Sequence, residues 1–324
     1  MRDAFFNKLV SRAELDQDII ILSDDHGAFA LKNFALQFPK QYINIGISEQ
    51  NMIGVASGLA LSGKKVFVYG ITPFVSLRVL EHLMLDIAAM QLPINIISVG
   101  VGFTYSTDGP THHGLSDIAA VRSIPGMGIL NSSDPNNTSQ FVDLVLERGT
   151  PHYIRIEKEA LNSFLEVENL ETRNEDGFSV LCATTQRILF ISTGRISHDV
   201  ATVCERLKQE SGVTVGQIDI HSIKPFPTEK LMSHISNSDL IIVVEEGYSS
   251  GLFTSVATCA IESDYPSTVR SISVVEEFIF CGDSRDNMLI KFELDVNSIL
   301  RKSLKLIEDY ENRGISAIPR LGNS

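Results

Sequence analysis

Short, fully apolar segments alternate with amphipathic segments along most of the chain. In the first half, the apolar runs DIIILS, KVFVYG, INIISV, GMGIL and HYIRI are separated by stretches with apolar residues at helical spacing. Continuous apolar strands between amphipathic helices are typical of a parallel sheet covered by helices on both faces. The pattern predicts strands at residues 18–23, 65–70, 94–99, 126–130 and 152–156, and helices at residues 2–15, 48–63, 74–90, 116–122 and 135–149.

The alternation lapses between residues 159 and 177, where the polar run NLETRNEDG is the best candidate for a linker. It then resumes with the strand candidates RILFIST, VTVGQIDI and DLIIVVEE. Helices are predicted between and after them, at residues 197–210, 228–235, 251–263 and 295–309. We therefore predict two parallel-sheet α/β domains, residues 1–165 and 178–324, joined near residue 170.

Charge and composition exclude several classes of function. The 324 residues carry a net charge of −13, which argues against nucleic acid as the main partner, because phosphate backbones attract basic surfaces. No stretch reaches the roughly 18 apolar residues of a membrane span. The N-terminal MRDAFFNKLV has no signal-peptide hydrophobic region, so a cytoplasmic protein is expected. The four cysteines lack metal or redox spacing and are predicted to be reduced core residues: Cys182, Cys204, Cys259 and Cys281.

Three loops leave the carboxyl ends of predicted strands, where open parallel sheets collect their ligand groups. They are DDHGAF, GITPF and GVGFTYSTDGPTHHG. The third is long for a simple connection, which favours a functional role. It contains the adjacent His112 and His113. A neutral histidine can accept or donate a proton at cellular pH, although a polar surface loop would also explain the pair.

Glu49 stands in the first turn of a predicted helix, where helix-dipole and capping interactions alone would explain it. The surrounding segment NIGISEQNMIGVASGLALSGKKVFVY, however, resembles the pyrimidine-binding domain of transketolase-like thiamine diphosphate enzymes. The resemblance implies that Glu49 hydrogen-bonds a ring nitrogen of the cofactor's aminopyrimidine. It also implies cofactor contacts from Ile47, Phe74 and Leu77. Phe74 matches the first aromatic residue of the family's cofactor pocket, whereas Leu77 and Leu80 stand at later aromatic positions.

The segment STDGPTHHG, with LSDIAAVRSIPGMGILNSSDPN after it, resembles the substrate loop of transketolases and deoxyxylulose-phosphate synthases. The resemblance implies that Asp108 binds a substrate hydroxyl and that His112 acts at the donor carbonyl oxygen. His113 falls where the family often has glutamine, so no separate role is assigned to it. Arg2 and Arg155 match phosphate-binding arginines, although ordinary surface charges would also explain both.

The second half resembles the family's C-terminal domain, in which Glu245 and Glu246 are not expected to be catalytic. The family's diphosphate-binding domain, with its GDG segment and following asparagine, has no counterpart in the sequence. The chain therefore resembles the C-terminal subunit of a split transketolase. This implies a separate N-terminal subunit that carries the GDG segment and holds Mg²⁺ or Ca²⁺ with the diphosphate, in an α2β2 heterotetramer.

Four departures from the family pattern concern the substrate loop. Gly100 replaces a substrate-contacting histidine, Thr107 replaces a glutamate, and Phe103 and Tyr105 are expected to add aromatic surface. A less polar site favours a modified sugar, such as a deoxy or branched one, with an anion at its far end. The leading interpretation is two-carbon ketol transfer. The alternatives are a decarboxylating synthase of a deoxyketose phosphate, a 2-oxo acid dehydrogenase β-subunit and an inactive regulatory homologue.

Overall fold

The computed structural model describes residues 1–25, 29–164, 172–173, 176–184, 186–262, 267–280 and 282–312. The predicted junction near residue 170 and the last residues of the predicted second domain, 313–324, lie outside these ranges, as does Cys281. None of the described helices is long and apolar enough to cross a membrane.

Two sheets are built from thirteen strands within the described ranges. The strands are β1 (Ile19–Ser23), β2 (Tyr42–Asn44), β3 (Lys65–Ile71), β4 (Ile94–Val99), β5 (Gly128–Asn131), β6 (His152–Ile156), β7 (Thr172–Arg173), β8 (Phe178–Cys182), β9 (Ile188–Ser192), β10 (Gly216–Ile220), β11 (Ser222–Lys224), β12 (Leu240–Tyr248) and β13 (Thr268–Val274). The first sheet has the order β11-β5-β6-β4-β3-β1-β2, and the second has the order β13-β12-β9-β10-β8-β7.

Helices connect and cover these strands. They are α1 (Arg2–Ala13), α2 (Phe29–Gln37), α3 (Glu49–Leu61), α4 (Leu80–His82), α5 (Asp117–Arg122), α6 (Pro135–Arg148), α7 (Ile196–Ser211), α8 (Thr228–Ile235), α9 (Leu252–Ile261), α10 (Arg285–Lys291) and α11 (Val296–Asn312). Every residue of β1, β4, β5 and β6 is buried. The apolar strand runs in the sequence are therefore explained by burial on both faces of the sheet.

Both sheets are parallel in their centres, which confirms the predicted α/β class. In the first sheet β1 to β6 pair in parallel, and in the second β9 pairs in parallel with β10 and β12. Antiparallel pairs occur where β8 meets β10 and β7, and where β11 meets β5. Because β11 follows β10 in the chain, the second half supplies an edge strand to the first sheet.

One predicted helix differs from the structure. Residues 74–90 form an irregular segment, with a 3₁₀ turn at Leu77–Val79, the single turn α4, and a π-helical stretch at Leu83–Ala88. Irregular turns of this kind place side chains at angles that a regular helix does not. The segment follows β3 at the carboxyl edge of the first sheet and carries candidate cofactor contacts.

Candidate active site

Glu49 opens α3 and is buried, with 5% of its surface exposed. The preceding Ser48 is the N-cap residue but makes no side-chain capping bond. The Glu49 carboxylate instead accepts a hydrogen bond from Arg78, with Oε1 2.5 Å from Nη1. Because the carboxylate faces a neighbouring segment, simple capping does not explain its position.

Four side chains from two segments, the one that follows β3 and the substrate loop, meet beside Glu49. The Arg78 guanidinium carbon lies 4.1 Å from the centre of the Phe74 ring. The Phe74 ring meets the His112 ring edge to face at 5.0 Å between centres, and the Tyr105 ring also meets the His112 ring, at 6.1 Å. The structure thus brings together Glu49, Phe74 and His112, and adds Arg78, which the sequence analysis did not select.

The two adjacent histidines occupy different environments. His112 is half-buried in the cluster just described, and its Nδ1 lies 2.9 Å from the Thr111 hydroxyl oxygen. His113 is buried, with Nε2 3.4 Å from the Ser106 carbonyl oxygen, and burial lowers the pKa of its ring. Asp108 is exposed on the same loop. Of the two histidines, His112 is the one whose ring meets Phe74 and Tyr105.

The substrate loop differs from the expectation at one aromatic residue. Phe103 is fully buried, stacks on Phe292 at 5.5 Å between ring centres, and belongs to the core of the second domain, so it adds no aromatic surface to the site. Tyr105 does face the site. A Cβ atom on Gly100 would lie 2.3 Å from the Tyr105 ring, so the tyrosine fills the space of a side chain at position 100.

Arg155 is not available as an exposed phosphate anchor in this structure. It is 4% exposed and forms a two-bond ion pair with Asp117, with Nε 2.7 Å from Oδ2 and Nη2 3.2 Å from Oδ1. Its Nη2 also donates to the Gly114 carbonyl at 3.1 Å, and the Tyr153 hydroxyl donates to Asp117. Arg155 thus holds the end of the substrate loop, at Gly114, from inside the protein.

Two other cations lie beside Tyr105. Lys158, three residues beyond Arg155, is exposed, and its Nζ lies 5.0 Å from the centre of the Tyr105 ring. Arg2, in the first turn of α1, interacts electrostatically with Tyr105, and its Nε lies 3.3 Å from Oδ1 of Asp3. Arg2 stays a predicted anion contact, and Lys158 is a further candidate that the sequence pattern does not single out.

The paired glutamates after β12 have structural partners. Glu245 accepts hydrogen bonds from the backbone N–H groups of Leu252 and Phe253 at the start of α9, and burial raises its pKa to about 7. Glu246 binds Arg285 with 2.7 Å between Oε2 and Nη2. Both carboxylates are thus engaged in contacts within the fold.

Arg285 also connects the two domains. Its Nη1 lies 2.7 Å from Oε2 of Glu157, which follows β6. Glu157 accepts a hydrogen bond from the Thr104 hydroxyl, while Glu246 accepts one from the Phe103 backbone N–H. The first turn of α10 thereby holds both the strand end and the start of the substrate loop.

Several apolar side chains near Glu49 and Arg78 in the sequence are exposed. Ile47 and Leu77, both expected cofactor contacts, are 79% and 45% exposed, and Met84 and Leu85 are also exposed. Leu80 is partly buried against the core. In the chain alone, the two expected cofactor contacts Ile47 and Leu77 therefore present apolar surface to solvent.

Two family models match the chain in succession. The pyrimidine-binding domain of transketolase matches residues 1–163, and the C-terminal domain of transketolase matches residues 179–299. The chain belongs to the transketolase family. It is therefore a subunit of a thiamine diphosphate-dependent enzyme that transfers ketol groups.

Relatives give the same assignment, and a solved structure shares the fold. A subunit of the apulose-4-phosphate transketolase of Phocaeicola vulgatus is 31% identical over 95% of this chain and 97% of the relative. The 6-deoxy-6-sulfo-D-fructose transketolase subunit SqwH of Clostridium sp. is 26% identical over 95% and 94%. A structure described as "Split gene transketolase, inactive beta4 tetramer" matches with a TM-score of 0.82 and 24% identity, over 94% of this chain and 97% of that one.

Relatives from the rival synthase class match less of their own length. The 1-deoxy-D-xylulose-5-phosphate synthase of Shewanella sediminis is 28% identical over 86% of this chain but only 43% of the relative. The transketolase subunits, by contrast, match over nearly their whole length. Transketolase chemistry is therefore supported over the decarboxylating alternative.

The residues present fit the pyrimidine end of the cofactor. A flat N–H donor, the Arg78 guanidinium, already lies on the Phe74 ring and bonds the buried Glu49 carboxylate. The flat aminopyrimidine ring needs the same two partners, an aromatic ring to stack on and a carboxyl group to bond. Among the residues that the structure describes, no group of three or more His, Cys, Asp or Glu side chains is arranged to hold a metal ion.

Proposed function

We propose that this chain supplies the pyrimidine half of a thiamine diphosphate site and the substrate loop of a two-carbon ketol transferase. The observation that carries the proposal is the convergence of Glu49, Phe74 and His112 in one cluster at the carboxyl edge of the first sheet. When bound, thiamine diphosphate supplies the electron sink for breaking the bond next to the donor carbonyl.

Each residue of the cluster has a distinct proposed task. Glu49 holds a proton between its carboxyl group and the pyrimidine ring nitrogen, because a buried carboxyl group can form a hydrogen bond to that nitrogen through its proton. Phe74 supports the ring by stacking. His112 moves a proton at the donor carbonyl oxygen, and Tyr105 and Thr111 fix the orientation of its ring. Asp108, exposed on the same loop, accepts a hydrogen bond from a substrate hydroxyl.

A separate subunit completes the site. We propose that it carries the GDG segment, holds Mg²⁺ or Ca²⁺ with the diphosphate, and forms an α2β2 heterotetramer with this chain. The exposed apolar side chains beside the cluster support a protein contact there, because without a partner Ile47 and Leu77 expose apolar surface to water. We also propose a cytoplasmic location, which the free thiols of Cys182, Cys204 and Cys259 support.

The proposed substrate is a modified sugar with an anionic end. Two relatives are named for substrates that carry a phosphate or a sulfo group. We propose that two cations hold such a group: Lys158, whose Nζ lies 5.0 Å from the centre of the Tyr105 ring, and Arg2, which interacts electrostatically with Tyr105. The Tyr105 ring fills the space that a side chain at position 100 would occupy, which supports a sugar that lacks or rearranges one hydroxyl group.

The isolated chain is expected to show no ketol transfer and only weak binding of thiamine diphosphate with Mg²⁺, because the proposed diphosphate site lies on the partner. Calorimetry with the chain alone, and then with a co-expressed chain that carries the GDG segment, measures both. Addition of the partner should restore tight binding and turnover. Tight binding and turnover by this chain alone would contradict the split site.

Lys158→Met is expected to raise the KM for phosphorylated sugars by about tenfold with little change in kcat, because a lost charge-assisted hydrogen bond weakens ground-state and transition-state binding alike. Steady-state kinetics of the assembled enzyme with phosphorylated and unphosphorylated sugars measures the change. Lys64→Met, on an exposed lysine paired with Asp18, is the control. An unchanged KM in Lys158→Met would remove Lys158 from the anion site.

A further inference from the structure

Arg78 occupies both surfaces that the cofactor's ring would need. Its guanidinium lies 4.1 Å from the centre of the Phe74 ring and donates to Glu49 across 2.5 Å. The side chain of Glu49 is 6% exposed, whereas that of Arg78 is 43% exposed. A planar, cationic N–H donor therefore lies on an aromatic ring and against a buried carboxylate, with its other side open to solvent.

An aminopyrimidine is also planar, also stacks on aromatic rings and also bonds a carboxyl group through its ring nitrogen. One face of Phe74 cannot carry both groups at once. We propose that Arg78 is a placeholder: it occupies the pyrimidine position in the free chain and swings away when the cofactor's ring arrives. The proposal rests on the proposed function, because it takes Glu49 and Phe74 as the pyrimidine contacts.

Burial of Glu49 gives the placeholder a physical purpose. A buried carboxylate without a counter-charge is strongly unfavourable, and the free chain has to fold before any cofactor is held at the interface. Arg78 supplies that counter-charge. Its exposure allows the long side chain to leave at modest cost, since the charged end can move into water while the stem stays on the surface.

Because of this exchange, a pyrimidine can bind only when the contacts of Arg78 are broken. The ring has to displace an ion pair and a cation–π contact, so the apparent affinity of the free chain for a pyrimidine is lowered by the strength of those contacts. Neither contact is strong at a half-exposed site, and together they amount to about a tenfold reduction in affinity. Removal of the Arg78 guanidinium should therefore raise the affinity of the free chain for a pyrimidine by about tenfold.

Thiamine is the suitable probe for the isolated full-length chain, because it carries the aminopyrimidine but no diphosphate and so does not need the partner's site. Calorimetric or NMR titration is expected to show that Arg78→Gln binds thiamine about tenfold more tightly than the unmodified chain. The matched control is Arg12→Gln, whose side chain is 41% exposed and pairs with Asp143 at 2.7 Å; its thiamine affinity should not change.

Equal or weaker thiamine binding by Arg78→Gln would overturn the placeholder and would make Arg78 a spectator or a cofactor contact. Absence of thiamine binding to every variant would also overturn it, because release of Glu49 would then open no site. A double-mutant cycle with Glu49→Gln, read from the unfolding equilibrium, guards against a folding effect: coupling of at least about fivefold is expected, and no coupling would refute the ion pair. The proposed function is judged separately, by binding of thiamine diphosphate in the presence of the partner.

Discussion

Glu49→Gln is expected to fold normally and to lower the ketol-transferase activity of the assembled enzyme by on the order of a hundredfold or more, the usual scale for loss of positioned acid–base help. The amide has nearly the same shape as the carboxyl group and can still accept a hydrogen bond from Arg78. It cannot share a proton with the pyrimidine nitrogen. The change therefore separates proton chemistry from packing.

The measurement is kcat/KM of the assembled enzyme, with thermal unfolding of the isolated chain as the check on folding. Glu81→Gln is the matched control, because Glu81 is an exposed carboxylate on the neighbouring α4. Activity of Glu49→Gln within a few-fold of the unmodified enzyme would make Glu49 a structural residue of the first helical turn.

Much of the first sheet could be predicted because its strands are buried on both faces. The apolar runs that became β1 and β4 consist mostly of Ile, Leu and Val, so burial on both faces is the simplest explanation of the pattern. The edge strand β11 could not be predicted in the same way. Its three residues pair with β5 from the other half of the chain, and no local pattern records such a distant partner.

Single residues of the site are limited in the same way, because the local sequence does not record contacts with distant parts of the chain. Glu49 and His112 were found because each lies in a distinctive segment. Arg78 was missed because FVSLRVLEHL is typical of an amphipathic helix with its arginine in solvent, and the partner carboxylate lies 29 residues away. Arg155 was assigned to phosphate because a strand end does not reveal which way a side chain points; Asp117 on α5 holds it inside.

Arg285→Met is expected to destabilise the isolated chain by about 3–5 kcal/mol, the usual cost of removing one partner from a buried ion pair. The arginine side chain is 8% exposed, and its partners Glu157 and Glu246 are 0% and 7% exposed. Without the guanidinium, two carboxylates remain close together, out of water and without a counter-charge. Methionine keeps an unbranched, flexible side chain, although a shorter one, so most of the loss comes from charge.

Urea unfolding measures this loss, and Arg195→Met is the control, because Arg195 pairs with Asp199 one turn along α7 at 20% exposure and should cost less than about 1 kcal/mol. Adding Glu157→Gln to Arg285→Met should recover part of the stability, because one of the two unpaired charges is then removed. Equal losses for Arg285→Met and Arg195→Met would show that water reaches the triad. In that case the C-terminal domain would not hold the substrate loop through buried charge, and the Phe103 backbone contact of Glu246 would have to act alone.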